Sequence, residues 1–99
     1  MKKVKLTLYI TGHTSKSERA IENLREIIKG DLSESMELKI VDVLEHPQLA
    51  EEEKILATPT LVKSLPVPIR RIIGDLSQKE KVLLGLDIKH INPKEGGQL

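Results

Sequence analysis

Three patterns in this 99-residue chain predict an α/β domain with the element order β-α-β-α-β-β-α. Val4, Leu6, Leu8 and Ile10 alternate with Lys5, Thr7 and Tyr9, the period of a strand with one strongly apolar face. Ala20, Ile21, Leu24, Ile27 and Ile28 then recur at helical spacing, and Met36, Leu38 and Ile40 alternate again. A strand over 4–10 runs ~23 Å and a helix over 15–28 runs ~21 Å, so the helix can lie back along the strand as a β-α-β crossover.

The elements follow in order. Thr11-Gly12-His13-Thr14 reads as a turn, after which Ser15 or Ser17 is expected to cap the first helix, which ends near Gly30. Beyond Ile40, Val41, Val43 and Leu44 thicken the apolar content until His46-Pro47 stops the strand, as suits a parallel central strand. Pro47 fits the first turn of a short helix through Leu56, with Leu49, Ala50, Ile55 and Leu56 inward and Glu51, Glu52 and Glu53 toward water. Two short strands, 61–65 and 69–73, flank Pro66-Val67-Pro68, and Ser77-Gln78-Lys79-Glu80 has the form of a capping box opening a last helix. One domain over 1–91 is expected, with the Gly-rich, charged residues 92–99 as a loose tail.

Residues 81–91 fit two templates. A helix puts Val82, Leu83 and Leu86 on one side, with Gly85 costing about 1 kcal/mol in its interior. A strand puts Val82, Leu84, Leu86 and Ile88 on one face, opposite Leu83, Gly85, Asp87 and Lys89. Residues 69–73 are similar: Ile69, Ile72 and Ile73 have helical spacing, while their β-branching favours a strand.

Composition narrows the function classes. No cysteine means no disulfide, no thiolate nucleophile and no zinc-cysteine site, so the fold rests on aliphatic packing. Tyr9 is the sole aromatic residue, which leaves little material for stacking on bases or aromatic ligands. Sixteen basic and fifteen acidic residues leave a net charge of +1, so no broad field draws the chain to nucleic acid or an anionic membrane. Apolar runs stay far below the ~20 residues of a membrane span, and Met1-Lys2-Lys3 leads into an alternating segment, so a cytoplasmic protein is expected. His13, His46 and His90 show no metal-ligand spacing, and no cofactor motif appears. Asp42, Glu45 and His46 at a strand end read as caps and solvated groups, and Ser15 at a helix start reads as a cap before it reads as a nucleophile. Glu51-Glu52-Glu53 and Arg70-Arg71 read as solvated faces.

Two resemblances add to this reading. Leu56-Ala57-Thr58-Pro59-Thr60-Leu61 looks like the loop that introduces the third strand of a thioredoxin-like domain, where the Thr-Pro-Thr turn sits beside catalytic thiols and its X-Pro bond is often cis. Residues 41–61 (VDVLEHPQLAEEEKILATPTL), 66–77 (PVPIRRIIGDLS) and 81–87 (KVLLGLD) closely resemble the KaiB family of cyanobacterial circadian clock proteins. That resemblance implies fold switching: a monomeric, thioredoxin-like β-α-β-α-β-β-α state and a tetrameric ground state, β-α-β-β-α-α-β, share the first half of the chain. The switch region carried over is Pro59, Pro66, Pro68, Gly85, Asp87 and His90. The resemblance further implies a non-enzymatic regulator that docks on the KaiC ring ATPase through Gln48, Leu49, Glu52 and Lys54. It would capture KaiA through Arg19 and Lys39 and compete with the clock's sensor kinase. Family members often carry aromatics where this chain has Val4 and His90, and losing them should weaken the tetramer more than the monomer. The thioredoxin-like monomer is therefore the favoured state, and alanine at Gly85 is expected to favour it further.

Two other readings stand beside this one: a cysteine-free, glutathione-handling enzyme using Ser15, and a stress-related interaction protein of the same family outside a clock. The absence of cysteine and of a Gly-rich Lys-Ser/Thr phosphate loop predicts no intrinsic disulfide reductase or ATPase activity. Turnover by the purified protein that disappears in Ser15→Ala would overturn this expectation.

Overall fold

The N-terminal strand is the axis of the sheet. In a computed structural model describing residues 3–29 and 36–86, β1 (Val4–Ile10) pairs parallel with β2 (Met36–Asp42) and antiparallel with β3 (Thr60–Leu65). The strand β4 (Arg70–Ile73) adds antiparallel to β3, giving the order β2-β1-β3-β4. Helix α1 (Ser15–Ile28) connects β1 to β2, α2 (Pro47–Glu52) precedes β3, and α3 (Lys79–Leu86) follows β4. The element order is the thioredoxin-like one, and not the alternative that places two consecutive helices before a last strand. The tail 92–99 and the switch residues Asp87 and His90 lie outside the described residues.

The two faces of the sheet bury separate clusters. Val4, Leu6, Leu8 and Ile10 of β1 pack with Leu61 of β3, Ala20, Leu24 and Ile27 of α1, and Val82 and Leu86 of α3. The half-buried Met36, Leu38 and Ile40 of β2 and Ile72 of β4 extend this layer. On the opposite face, among the described residues, Val43, Leu49 and Ile55 pack on buried Tyr9, Val41 and Val62. Lys63, opposite Leu6 in the register, is fully buried on the α1–α3 face, which alternation alone did not single out.

Several boundaries differ from the sequence reading, each for a local reason. The N-cap of α1 is Thr14, not Ser15 or Ser17: its backbone is extended, and its hydroxyl accepts the Ser17 amide at 3.1 Å. Ser17 is itself buried, with its hydroxyl receiving a hydrogen bond from that of Thr14 and directed at the Thr11 carbonyl. Strand β2 is an edge strand rather than a central one, and it stops at Asp42 instead of running to His46. There the Asp42 carboxylate accepts the amides of Gly12 and Leu44, both at 3.0 Å, and so turns the chain away from the sheet. Helix α2 ends at Glu52, which leaves Leu56 95% exposed rather than inward. The capping box is not the start of α3: Asp75 Oδ1 accepts the Ser77 amide, and the first helical carbonyl to be used is that of Gln78, by Val82. Asn23 of α1 donates to the Asp75 carbonyl at 2.7 Å and fixes this turn, in which Leu76 takes φ 63° and sends its side chain into the core.

The ambivalent segment resolves as far as it is described. Val82 and Leu86 are buried and Leu83 half-buried, while Leu84 is 82% exposed, as the helical template requires and the strand template forbids. Residues 70–73 take the strand reading, with Ile72 half-buried toward α3 and Ile73 exposed on the other face. Thr58-Pro59, Leu65-Pro66 and Val67-Pro68 are cis; Pro59 is buried at the start of β3, and Pro66 and Pro68 shape the β3–β4 connection.

Two predictions follow from this packing. Asp42 is held below the ordinary carboxylate value of 3.8, chiefly by the Gly12 amide and next by that of Leu44. A depressed folded-state pKa contributes stability that is present above the ordinary value and lost as pH falls through the lowered one. Thermal unfolding from about pH 5 down to about pH 2.5 should therefore show a smaller loss of midpoint in Asp42→Asn than in the native chain; equal losses would remove Asp42 as a source of the acid sensitivity. Gly85 lies inside α3, and a Cβ added there would sit 3.1 Å from Ile72 Cδ1 and 3.4 Å from its Cγ1. This contact opposes the helix-propensity gain of alanine, about 0.5–1 kcal/mol. Urea unfolding should show Gly85→Ala giving that gain in an Ile72→Val background, which lacks the Cδ1 methyl, and a smaller gain or a loss with Ile72 present. Equal effects in the two backgrounds would show that Ile72 does not resist the substitution.

Candidate functional site

Helix α2 and the turn after it form the most distinctive surface among the described residues. Pro47 begins the helix, and His46 at the N-cap makes no side-chain capping bond. Gln48, Glu51 and Glu52 are exposed, while Leu49 and Ala50 are half-buried, Leu49 against the Tyr9 cluster. Of the four residues assigned to KaiC docking, Gln48, Glu52 and Lys54 thus face solvent, and Leu49 chiefly seats the helix on the sheet.

The C-terminus of α2 closes as a Schellman turn. The Ile55 amide donates to the Ala50 carbonyl at 2.9 Å, and the Lys54 amide to the Glu51 carbonyl at 3.1 Å. Ile55, just past the turn, packs beside Leu49 on the apolar cluster, the hydrophobic contact that accompanies this motif. The residue at the left-handed position is Lys54, with φ 56°, where glycine is the usual occupant. A side chain in this conformation costs about 1 kcal/mol or more and persists only where its surroundings hold it.

Those surroundings are supplied by β4. Arg71 stands opposite Val62 in the register, which places it on the α2 side of the sheet. Its guanidinium donates through Nη2 to the Glu53 carbonyl at 2.5 Å and through Nη1 to the Lys54 carbonyl at 3.3 Å. The Glu53 carboxylate lies 3.8 Å from Nη2. Burial raises the pKa of the Tyr9 phenol, Glu53 raises it further, and Arg71 opposes them, so the three groups share one electrostatic environment. The sequence reading left Arg71 on a solvated face. Its alternation with Ile72, across from a strand with Val62 on the α2 side, is the signal that would have found it.

A second polar group sits at the C-terminal end of β1. Thr11 and Thr58 share a hydroxyl hydrogen bond of 2.6 Å that joins the first turn to the Thr-Pro-Thr loop. His13 Nδ1 lies 2.9 Å from Glu18 Oε2, an interaction that raises the His13 pKa. Ser15 is an exposed first-turn residue of α1. Arg19 and Lys39 are both exposed but not brought together: Arg19 lies on α1, over one face of the sheet, and Lys39 lies on β2, opposite Thr7 and on the other face. Among the described residues β2 is an outer strand of the sheet. No group of three or more His, Cys, Asp or Glu residues suited to a metal ion occurs among the described residues, and none of their helices is long and apolar enough to cross a membrane.

Comparison with known proteins agrees with this geometry. Among solved structures, the N-terminal domain of Synechococcus elongatus SasA superposes with a TM-score of 0.71 at 21% identity, covering 88% of this chain and 86% of that one. A thioredoxin from Malassezia sympodialis superposes with a TM-score of 0.73 at 20% identity, covering 92% and 77%. At these identities the likeness is one of fold. In sequence, the circadian clock oscillator protein KaiB of Prochlorococcus marinus (strain MIT 9312) is 60% identical over 83 residues, 84% of this chain and 79% of that protein. The circadian clock protein KaiB3 of Synechocystis sp. (strain PCC 6803) is 57% identical over 88 residues, 89% of this chain and 86% of its own length. Residues 7–88, from the middle of β1 to just beyond α3, match the KaiB domain, and the chain belongs to the KaiB family.

Proposed function

We propose that this chain is a non-enzymatic clock regulator that docks on a KaiC-type ring ATPase through the exposed side of α2 and the turn after it. The observation that carries the reading is Lys54. A lysine occupies a left-handed position that glycine would fill with less strain, and its side chain is exposed, as are those of Gln48 and Glu52. Strained backbone of this kind clusters at functional sites. The family resemblance supplies the partner, and the thioredoxin-like packing supplies a docking helix seated on Tyr9, Val41 and Val62.

The same reading assigns Arg19 and Lys39 to a KaiA-like protein, and it has the docked chain competing with the clock's sensor kinase, acting as a monomer in the cytoplasm. A strand that is outermost among the described residues and carries an exposed cation, Lys39, offers main-chain hydrogen bonds and charge steering to such a partner. A chain already in the docking-competent packing binds without the affinity loss that a rare conformer incurs.

Substitution at Lys54 separates stability from docking. Lys54→Gly should stabilise the fold by about 1 kcal/mol in urea unfolding, because glycine relieves the left-handed strain. Titrated against purified KaiC-type ring ATPase at moderate salt, the same variant should bind about tenfold more weakly, or about 1.4 kcal/mol. Lys54→Glu, which reverses the charge, should bind more weakly still. Unchanged dissociation constants for both variants would take Lys54 out of the interface.

A further inference from the structure

We infer that Arg71 is a positioning residue for this docking turn, its guanidinium on β4 holding the two carbonyls that flank the left-handed Lys54 and so fixing how Lys54 is presented. The inference rests on the reading of α2 as the docking surface and adds the group that shapes it.

The geometry carries the argument. A helix C-terminus leaves carbonyls without intrahelical partners. Here the Schellman turn uses those of Ala50 and Glu51, and Arg71 takes those of Glu53 and Lys54 with the two arms of one planar group. The two bonded carbonyls begin and end the Lys54 residue's own stretch of backbone, so fixing both fixes its φ and ψ. A lysine at position 71 would present one ammonium and could not bridge the two carbonyls with the same rigidity. Arg71 itself is held by the sheet, through the Val62–Arg71 register pair, so the turn is braced only while β4 is paired with β3. The side chains of Arg71 and Glu53 are 40% and 50% exposed, which makes this a surface brace rather than a core contact.

Tyr9 gives a built-in spectroscopic reporter, since it is the only aromatic residue and its phenol senses Arg71. Arg71→Met should raise the phenol's titration midpoint, followed by phenolate absorbance, while Arg71→Lys keeps the cation and should leave that midpoint close to the native one. In both variants amide hydrogen exchange over 47–55 should quicken relative to β1, by about tenfold for Arg71→Met and less for Arg71→Lys.

Docking to the purified ring ATPase then tests whether the brace acts through Lys54. Arg71→Met should weaken binding about five- to tenfold in the native background and add little to Lys54→Gly, because residues that act as one unit are not additive. Fully additive losses, or unchanged exchange over 47–55 in Arg71→Met, would overturn the inference. So would quickened exchange with unchanged binding while Lys54→Gly still binds weakly. If Lys54→Gly and Arg71→Met both bind as the native chain does, the docking surface lies elsewhere, and the positioning role falls with it even though the exchange result identifies the brace.

Discussion

The structure depends on β1 being buried on both faces at its C-terminal end. Leu8, Tyr9 and Ile10 are consecutive and all buried, so the strand contributes to the α1–α3 layer and to the α2 layer at once. Every other strand is placed by reference to it: β2 and β3 pair with it directly, and β4 pairs with β3. In a chain without cysteine and with one aromatic residue, this aliphatic burial has no covalent support. Truncating a buried leucine typically costs about 2–5 kcal/mol, a large share of the 5–15 kcal/mol by which a domain is stable. The same end of β1 carries the turns next to the candidate surface: Gly12 is bound by Asp42, Thr11 by Thr58, and Tyr9 packs with Leu49 of α2.

How far the sequence disclosed this architecture follows from which signals are local. The strands and α1 were legible because period-two and helical spacing act within a few residues, and the first strand runs Val4–Ile10 as read. Boundaries were less so. Asp42 ends β2 by accepting an amide from Gly12, thirty residues away in the chain, and no window around Asp42 contains that partner. The position of β2 at the edge was likewise hidden, because an apolar run says that a strand packs well but not how many neighbours it has. Lys63 shares the face of Leu61, as alternation requires, but its charge gave no sign that this position is buried. The double reading of 81–91 was a real degeneracy of spacing, resolved over 79–86 by tertiary packing: Ile72 and the core around Leu61 accept Val82 and Leu86 from a helix and leave Leu84 outside.

The candidate site was legible in part and for a different reason. Gln48, Leu49, Glu52 and Lys54 came from a resemblance, and the structure gathers them on one short helix and its closing turn. Residue type and spacing did not show that Lys54 is left-handed or that Arg71 reaches it. A Schellman turn is easily read from glycine and poorly read from lysine, so the strained position was masked by the residue that makes it informative. Places where a local rule is broken while the surrounding fold obeys its own are where function is expected.

The energetics indicate what kind of role Arg71 has. An exposed ion pair at 3.8 Å contributes only about 0–1 kcal/mol, so the Glu53 carboxylate is not the reason for the contact. The carbonyls are, because they belong to a helix end and to a left-handed residue that relaxes unless held. A brace of this kind adds little to global stability and much to the definition of one turn. Its anchorage on β4 has a consequence for the whole surface. Helix α2 and Arg71 come from segments separated in sequence by the Thr-Pro-Thr loop and all of β3, so the contacts of Arg71 with the turn after α2 form only when β4 is in place.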